Sequence, residues 1–109
     1  MNPREEFEKL KAVFPSAQAL GNGDRINVFL PKLPIRSNGK LIHRDALLCP
    51  HEHGGYDTRL FLSEPVEGKG QNWSTHTLFT RNWHTWSWRY VSAAQAWSAI
   101  LANHLAALA

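Results

Sequence analysis

The sequence contains little that would tie it to a membrane, a disulfide scaffold or a nucleic acid. Cys49 is the one cysteine among 109 residues. An internal disulfide framework is therefore excluded, and a reducing, cytoplasmic location is expected. No apolar run approaches the roughly 18 residues of a membrane-crossing helix. The opening Met1-Asn2-Pro3-Arg4-Glu5-Glu6 is charged and leads into no apolar stretch, so no secretory signal is expected. Charge of one sign is also scarce. Lys and Arg number 12 against 9 Asp and Glu, for a net +3. The small excess lies in residues 1–40, and Lys32, Arg36 and Lys40 read as one solvated loop. A dense basic stripe is missing, which argues against a nucleic-acid partner. With 43% hydrophobic and 19% charged residues, the chain has the balance of an ordered globular domain. Its length suits one domain over 1–109, with no repeat and no long linker. What it does have, in excess for its size, is six histidines and five tryptophans, and they cluster.

Local patterns predict an α+β chain with an N-terminal helix, a four-stranded antiparallel meander and a C-terminal helix. Asn2 can cap, Pro3 suits the first helical position, and Glu5 and Glu6 favour the positive end of the helix dipole. Phe7, Leu10 and Phe14 recur on one helical face until Pro15 stops the helix. Gly21-Asn22-Gly23-Asp24 predicts a hairpin turn between residues 17–20 and 25–30. Pro31 and Pro34 restrict the following stretch to a loop or a sheet edge. Ser37-Asn38-Gly39-Lys40 is a second turn, and His43 to Leu48 a third strand. After the loop His51-Glu52-His53-Gly54-Gly55, Tyr56 to Ser63 is a fourth strand with Tyr56, Thr58, Leu60 and Leu62 on one face. Pro65 to Gly70 is a turn-rich connector. Residues 73–88, aromatic and β-branched, suit strand and loop equally. The last segment is rich in alanine, with Trp97, Ile100, Leu101, Leu105 and Leu108 at helical spacing.

The densest chemistry lies in Cys49-Pro50-His51-Glu52-His53, with His76 and His84 following in the aromatic segment. Zinc requires thiolate, imidazole or carboxylate ligands converging at about 2.0–2.3 Å. A loop bounded by glycines can supply Cys49 with His51, Glu52 or His53, and His84 can close the ring. No second C-x-x-C and no H-E-x-x-H is present. A second reading makes Cys49 a nucleophile with His51, His53 or His84 as its base. A third makes Cys49 a small buried apolar residue and the loop merely solvated. Trp83, Trp86 and Trp88 are either a core staple or an exposed surface for a protein partner. His104 is expected to interact with the C-terminal helix dipole.

Two stretches give the chain a family resemblance. Gly54-Gly55-Tyr56-Asp57-Thr58-Arg59-Leu60-Phe61-Leu62-Ser63-Glu64-Pro65 resembles the turn, strand and proline of bacterial ubiquitin-conjugating-enzyme-like (UBC-like) proteins. Arg81-Asn82-Trp83-His84-Thr85-Trp86-Ser87-Trp88 and the helix after it resemble that group's W-x-x-W-S segment and trailing helix. The resemblance implies a UBC-like fold and a place in a ubiquitin-like conjugation system, including antiviral defence. It implies a ubiquitin-like protein and an activating-enzyme-like protein as partners. The departures are specific. Asp57 follows the tyrosine, the His-Pro-Asn tripeptide is missing, and no cysteine occurs after residue 49. The family's thioester cysteine follows its fourth strand, whereas Cys49 precedes the predicted fourth strand here. The chain also resembles a metal-binding family of the same gene neighbourhoods, named for Cys, Glu and two His. That resemblance implies zinc held by Cys49, Glu52, His53 and His84, with His51 and His76 as alternates.

Overall fold

The computed structural model describes residues 2–21, 25–68 and 72–109. It is an α+β fold in which two helices cover one face of a six-stranded antiparallel sheet. Helix α1 spans Pro3–Val13. Its cap is the one the sequence predicts: Asn2 Oδ1 accepts from the backbone N–H groups of Arg4 and Glu5. Helix α2 spans Trp97–Ala106 and has no side-chain cap of its own, since its N-cap residue is Ala96. Glu6 of α1 supplies one: its carboxylate, buried between the helices, accepts from the backbone N–H of Trp97 at 3.1 Å. One acidic residue thus serves the first turn of both helices.

The sheet consists of β1 (Gln18–Leu20), β2 (Asn27–Ser37), β3 (Lys40–Cys49), β4 (Arg59–Leu62), β5 (Trp73–Leu78) and β6 (Arg81–Trp86), in spatial order β1-β2-β3-β4-β6-β5. The first four form a meander. The Asn22-Gly23-Asp24 part of the first turn signal lies outside the described residues, but the strands it was expected to join do pair, with Gln18 opposite Phe29. Because β1 reaches only as far as Phe29, β2 beyond that point has a free edge, and Pro31 and Pro34 lie along it. A bulge between Leu30 and Leu33 absorbs the first proline: Lys32 takes φ +52° and donates its N–H to Asp45 Oδ1. Asn38 and Gly39, at φ +51° and +75°, make the two-residue turn into β3.

The expectation of four strands is corrected to six. The aromatic segment is a β5–β6 hairpin that joins the meander through the pair Leu62 and His84. Its turn is Phe79-Thr80, both at positive φ and neither a glycine, asparagine or aspartate. The local signal for a hairpin was therefore missing.

Side chains alternate across the sheet, and the outer face, unlike the helix face, is buried only in its middle. Leu48, Leu60, Leu62 and Trp86 point to the helices and pack with Leu10, Trp97, Ile100 and Leu101. Leu47, Cys49, Phe61 and Trp83 form a second, smaller cluster on the outer face, edged by Leu20, Phe29 and Leu78. No described helix is long and apolar enough to cross a membrane.

Candidate functional site

The outer face gathers most of the histidine-rich chemistry. Cys49 ends β3 in the outer cluster, 2% exposed. Its sulfur lies 3.5 Å from Nδ1 and 3.8 Å from Nε2 of His51, and also contacts the His51 carbonyl at 3.4 Å. Two nearly equal distances mean that the sulfur meets the imidazole side-on and does not lie along one nitrogen lone pair. The Nδ1 lone pair is already used: Arg25 donates to it at 3.0 Å, and the same guanidinium nitrogen donates to the Glu52 carbonyl. Burial pushes the Cys49 thiol up to about 11, against smaller opposing contributions from the His51 backbone and Arg25. At neutral pH only about one part in ten thousand is thiolate.

The loop after Cys49 closes on itself. His53 and Tyr56 exchange backbone hydrogen bonds of 2.9 and 3.1 Å around Gly54 and Gly55, which take φ +59° and +88°. The Glu52 carboxylate folds inward to accept from the Gly55 N–H at 3.0 Å. His53 stands edge-on to Phe61 and His76, with ring centres 5.3 and 5.7 Å away. Its Nδ1 is buried without a partner. Burial, followed by the charge of Arg59, lowers the pKa of both His53 and His76.

His84 is elsewhere. Its neighbour Trp83 belongs to the outer cluster, and its register partner Leu62 to the inner one. His84 therefore faces the helix side, where Nδ1 meets Thr75 Oγ1 at 3.2 Å. The expected quartet of Cys49, Glu52, His53 and His84 is not assembled, because the sheet separates His84 from Cys49. His53 and the alternates His51 and His76 are the histidines that share the Cys49 face. Among the described residues, no three of His, Cys, Asp and Glu are arranged to hold a metal ion. The residues present do not fit the four-ligand zinc site that the resemblance implies.

The tryptophans divide as well. Trp83 and Trp86 are core residues on opposite faces of β6, so their expected role as partner-binding residues is corrected. Trp88, 39% exposed, is the one that presents indole surface. His104 is also corrected. It lies in the last turn of α2 as expected, but it is 2% exposed and its ring is turned into the core, with Nε2 2.9 Å from Thr58 Oγ1.

Arg25, Tyr56 and Arg59 were missed by sequence reasoning. Arg59 opens β4 directly opposite Cys49 and is 6% exposed. Its guanidinium carbon lies 4.0 Å from the centre of the Tyr56 ring, which Arg89 also approaches, at 4.9 Å. The signal was the alternation itself: with Leu60 and Leu62 on the inner face, Arg59 and Phe61 must share the outer one. No family model, no curated protein and no solved structure matches this chain.

Proposed function

We propose that the chain is a component of a bacterial ubiquitin-like conjugation system, a UBC-like scaffold that binds a protein partner without carrying a thioester. The meander of β1 to β4 between an N-terminal and a C-terminal helix supports the scaffold, with the β5–β6 hairpin added to it, together with the resemblance of residues 54–65 and 81–88. The observation that carries the absence of a thioester is Cys49 itself. A thioester carrier must offer a thiolate to an incoming acyl group. This sulfur is sheathed by Leu47, Phe61 and Trp83, held neutral by burial, and not aligned with a base. The partners proposed are the ubiquitin-like and activating-enzyme-like proteins of its own operon.

The test is co-purification with those two proteins, followed by incubation with both and ATP on a non-reducing gel. Association is expected, unchanged in Cys49→Ser, and without a thiol-sensitive adduct. A Cys49-dependent adduct would establish the thioester carrier instead, and failure to associate would remove the conjugation reading.

Zinc binding is a second reading, favoured by the 3.5 Å approach of Cys49 to His51. That pair supplies two of the roughly four ligands zinc takes, and only with Arg25 drawn away from the imidazole. On this reading, tag-free protein carries stoichiometric zinc that Cys49→Ser loses. Metal analysis finding none, before and after refolding with zinc, would remove it.

A further inference from the structure

Among the described residues, Arg59 is a buried cation without a counter-ion. Taking a guanidinium out of water is costly unless a charge or a full set of acceptors replaces the water. Among the described residues the ion pairs are Lys9 with Glu6 and Arg81 with Asp45, and neither includes Arg59. The nearby Glu52 carboxylate is turned to the Gly55 N–H. Tyr56 covers one face of the guanidinium, but a ring accepts nothing from its N–H edge, and Nε is buried with no partner. Arg89 shares the Tyr56 ring, Arg25 reaches over from before β2 to donate to the Glu52 carbonyl, and His53 and His76, with pKa values lowered by burial, offer ring nitrogens. His53 Nδ1 is a second buried polar atom with no partner.

The loop over Arg59 leaves a way in. A Cβ built on Gly54 would meet one atom within 4 Å, Nη1 of Arg59 at 3.5 Å. A Cβ on Gly55 would meet none. Nη1 of Arg59 therefore lies against a stretch of loop that carries no side chain.

We propose that Arg59 is the centre of an anion site for a phosphate group, with His53 and His76 at its edge and Arg89 adding charge. The planar fork of arginine matches two oxygens of a tetrahedral oxyanion, and the second guanidinium, that of Arg89, favours a dianion over a monoanion. The site is independent of the conjugation reading and stands or falls separately.

The experiment is titration of the full chain with sodium phosphate against sodium chloride at matched ionic strength, read by thermal unfolding and by phosphorus NMR line width. A saturable rise in Tm and broadening of the phosphate line are expected for wild type. Arg59→Lys, which keeps the charge but loses the fork, is expected to weaken binding by about tenfold or more. Arg36→Ala, an exposed arginine on β2, leaves it unchanged. O-phosphoserine in place of phosphate separates the two sources: equal binding assigns the site to phosphate esters, and loss of binding to the free ion. No saturable effect on wild type, equal effects from acetate, or full binding by Arg59→Lys would each overturn the proposal. The wild-type NMR arm stands even if the variant fails to fold.

Discussion

Trp86→Ala is expected to destabilise the protein by about 3–5 kcal/mol, the range for removing a large buried aromatic side chain. Trp86 is 2% exposed on the helix face of β6, tilted against Trp73 at 5.2 Å and edge-on to His104 at 6.2 Å. It joins the β5–β6 hairpin to the main core, so its truncation opens a cavity where sheet and helix meet. Its indole N–H has no hydrogen-bond partner. Trp86→Phe removes that unpaired donor along with some packing and is expected to cost less than the alanine variant. Trp88→Ala, beyond the end of the strand and more exposed, is expected to change stability by no more than about 0.5 kcal/mol. Chemical denaturation of the three variants checks the order. A Trp88 effect equal to that of Trp86 would overturn the division of the tryptophans into core and surface.

Acidification is expected to remove about 3 kcal/mol of stability between pH 6.5 and pH 4 through His104 alone. Burial, and then the charge of Arg59, lowers this imidazole from the ordinary 6.5 to about 4. The Thr58 hydroxyl donates to the Val91 carbonyl at 2.8 Å, so its oxygen accepts from Nε2–H of His104. The direction follows from proton counts. Above pH 6.5 the ring is neutral in both folded and unfolded chains and contributes no pH dependence. Below 6.5 the unfolded chain takes up a proton that the folded chain refuses, so stability falls with pH until the folded ring titrates near 4. His53 and His76, also lowered by burial, act in the same direction. Asp45 is held below its usual 3.8 by Arg81 and the Lys32 N–H, and loses its contribution only below this window. Urea unfolding at a series of pH values measures the slope. His104→Leu is expected to flatten most of it, and an unchanged slope in that variant would show that other groups carry the acid sensitivity.

The residues of the outer face show how far a one-dimensional reading reaches. That Cys49, His51 and His53 lie near one another follows from five consecutive positions. That His84 does not join them depends on which face of β6 it occupies, and so on the register with β4. Trp83 and Trp86 read alike as aromatic residues in a β-branched run, yet they belong to different cores. A sheet with one solvated face would have made Phe61 and Trp83 anomalies. The small apolar cluster on the outer face makes them ordinary, and that information is in the packing of the whole chain.

By itself the sequence determined the local features, whose causes are also local. Asn2 and Pro3 start α1, Pro15 ends it, Asn38-Gly39 turns β2 into β3, and an apolar stripe marks α2. The lone cysteine rules out an internal disulfide. Tertiary structure decided everything that depends on a partner distant along the chain. It bent Phe79-Thr80 into a turn without a turn residue, because the strands on either side gain a full ladder of pairing. It turned Glu6 into a cap for a helix 91 residues away. It neutralised His104 by burial, left Arg59 without a carboxylate among the described residues, and put the sheet between Cys49 and His84. Each of these is a matter of desolvation or alternation across a sheet, and neither acts until the strands and helices have packed.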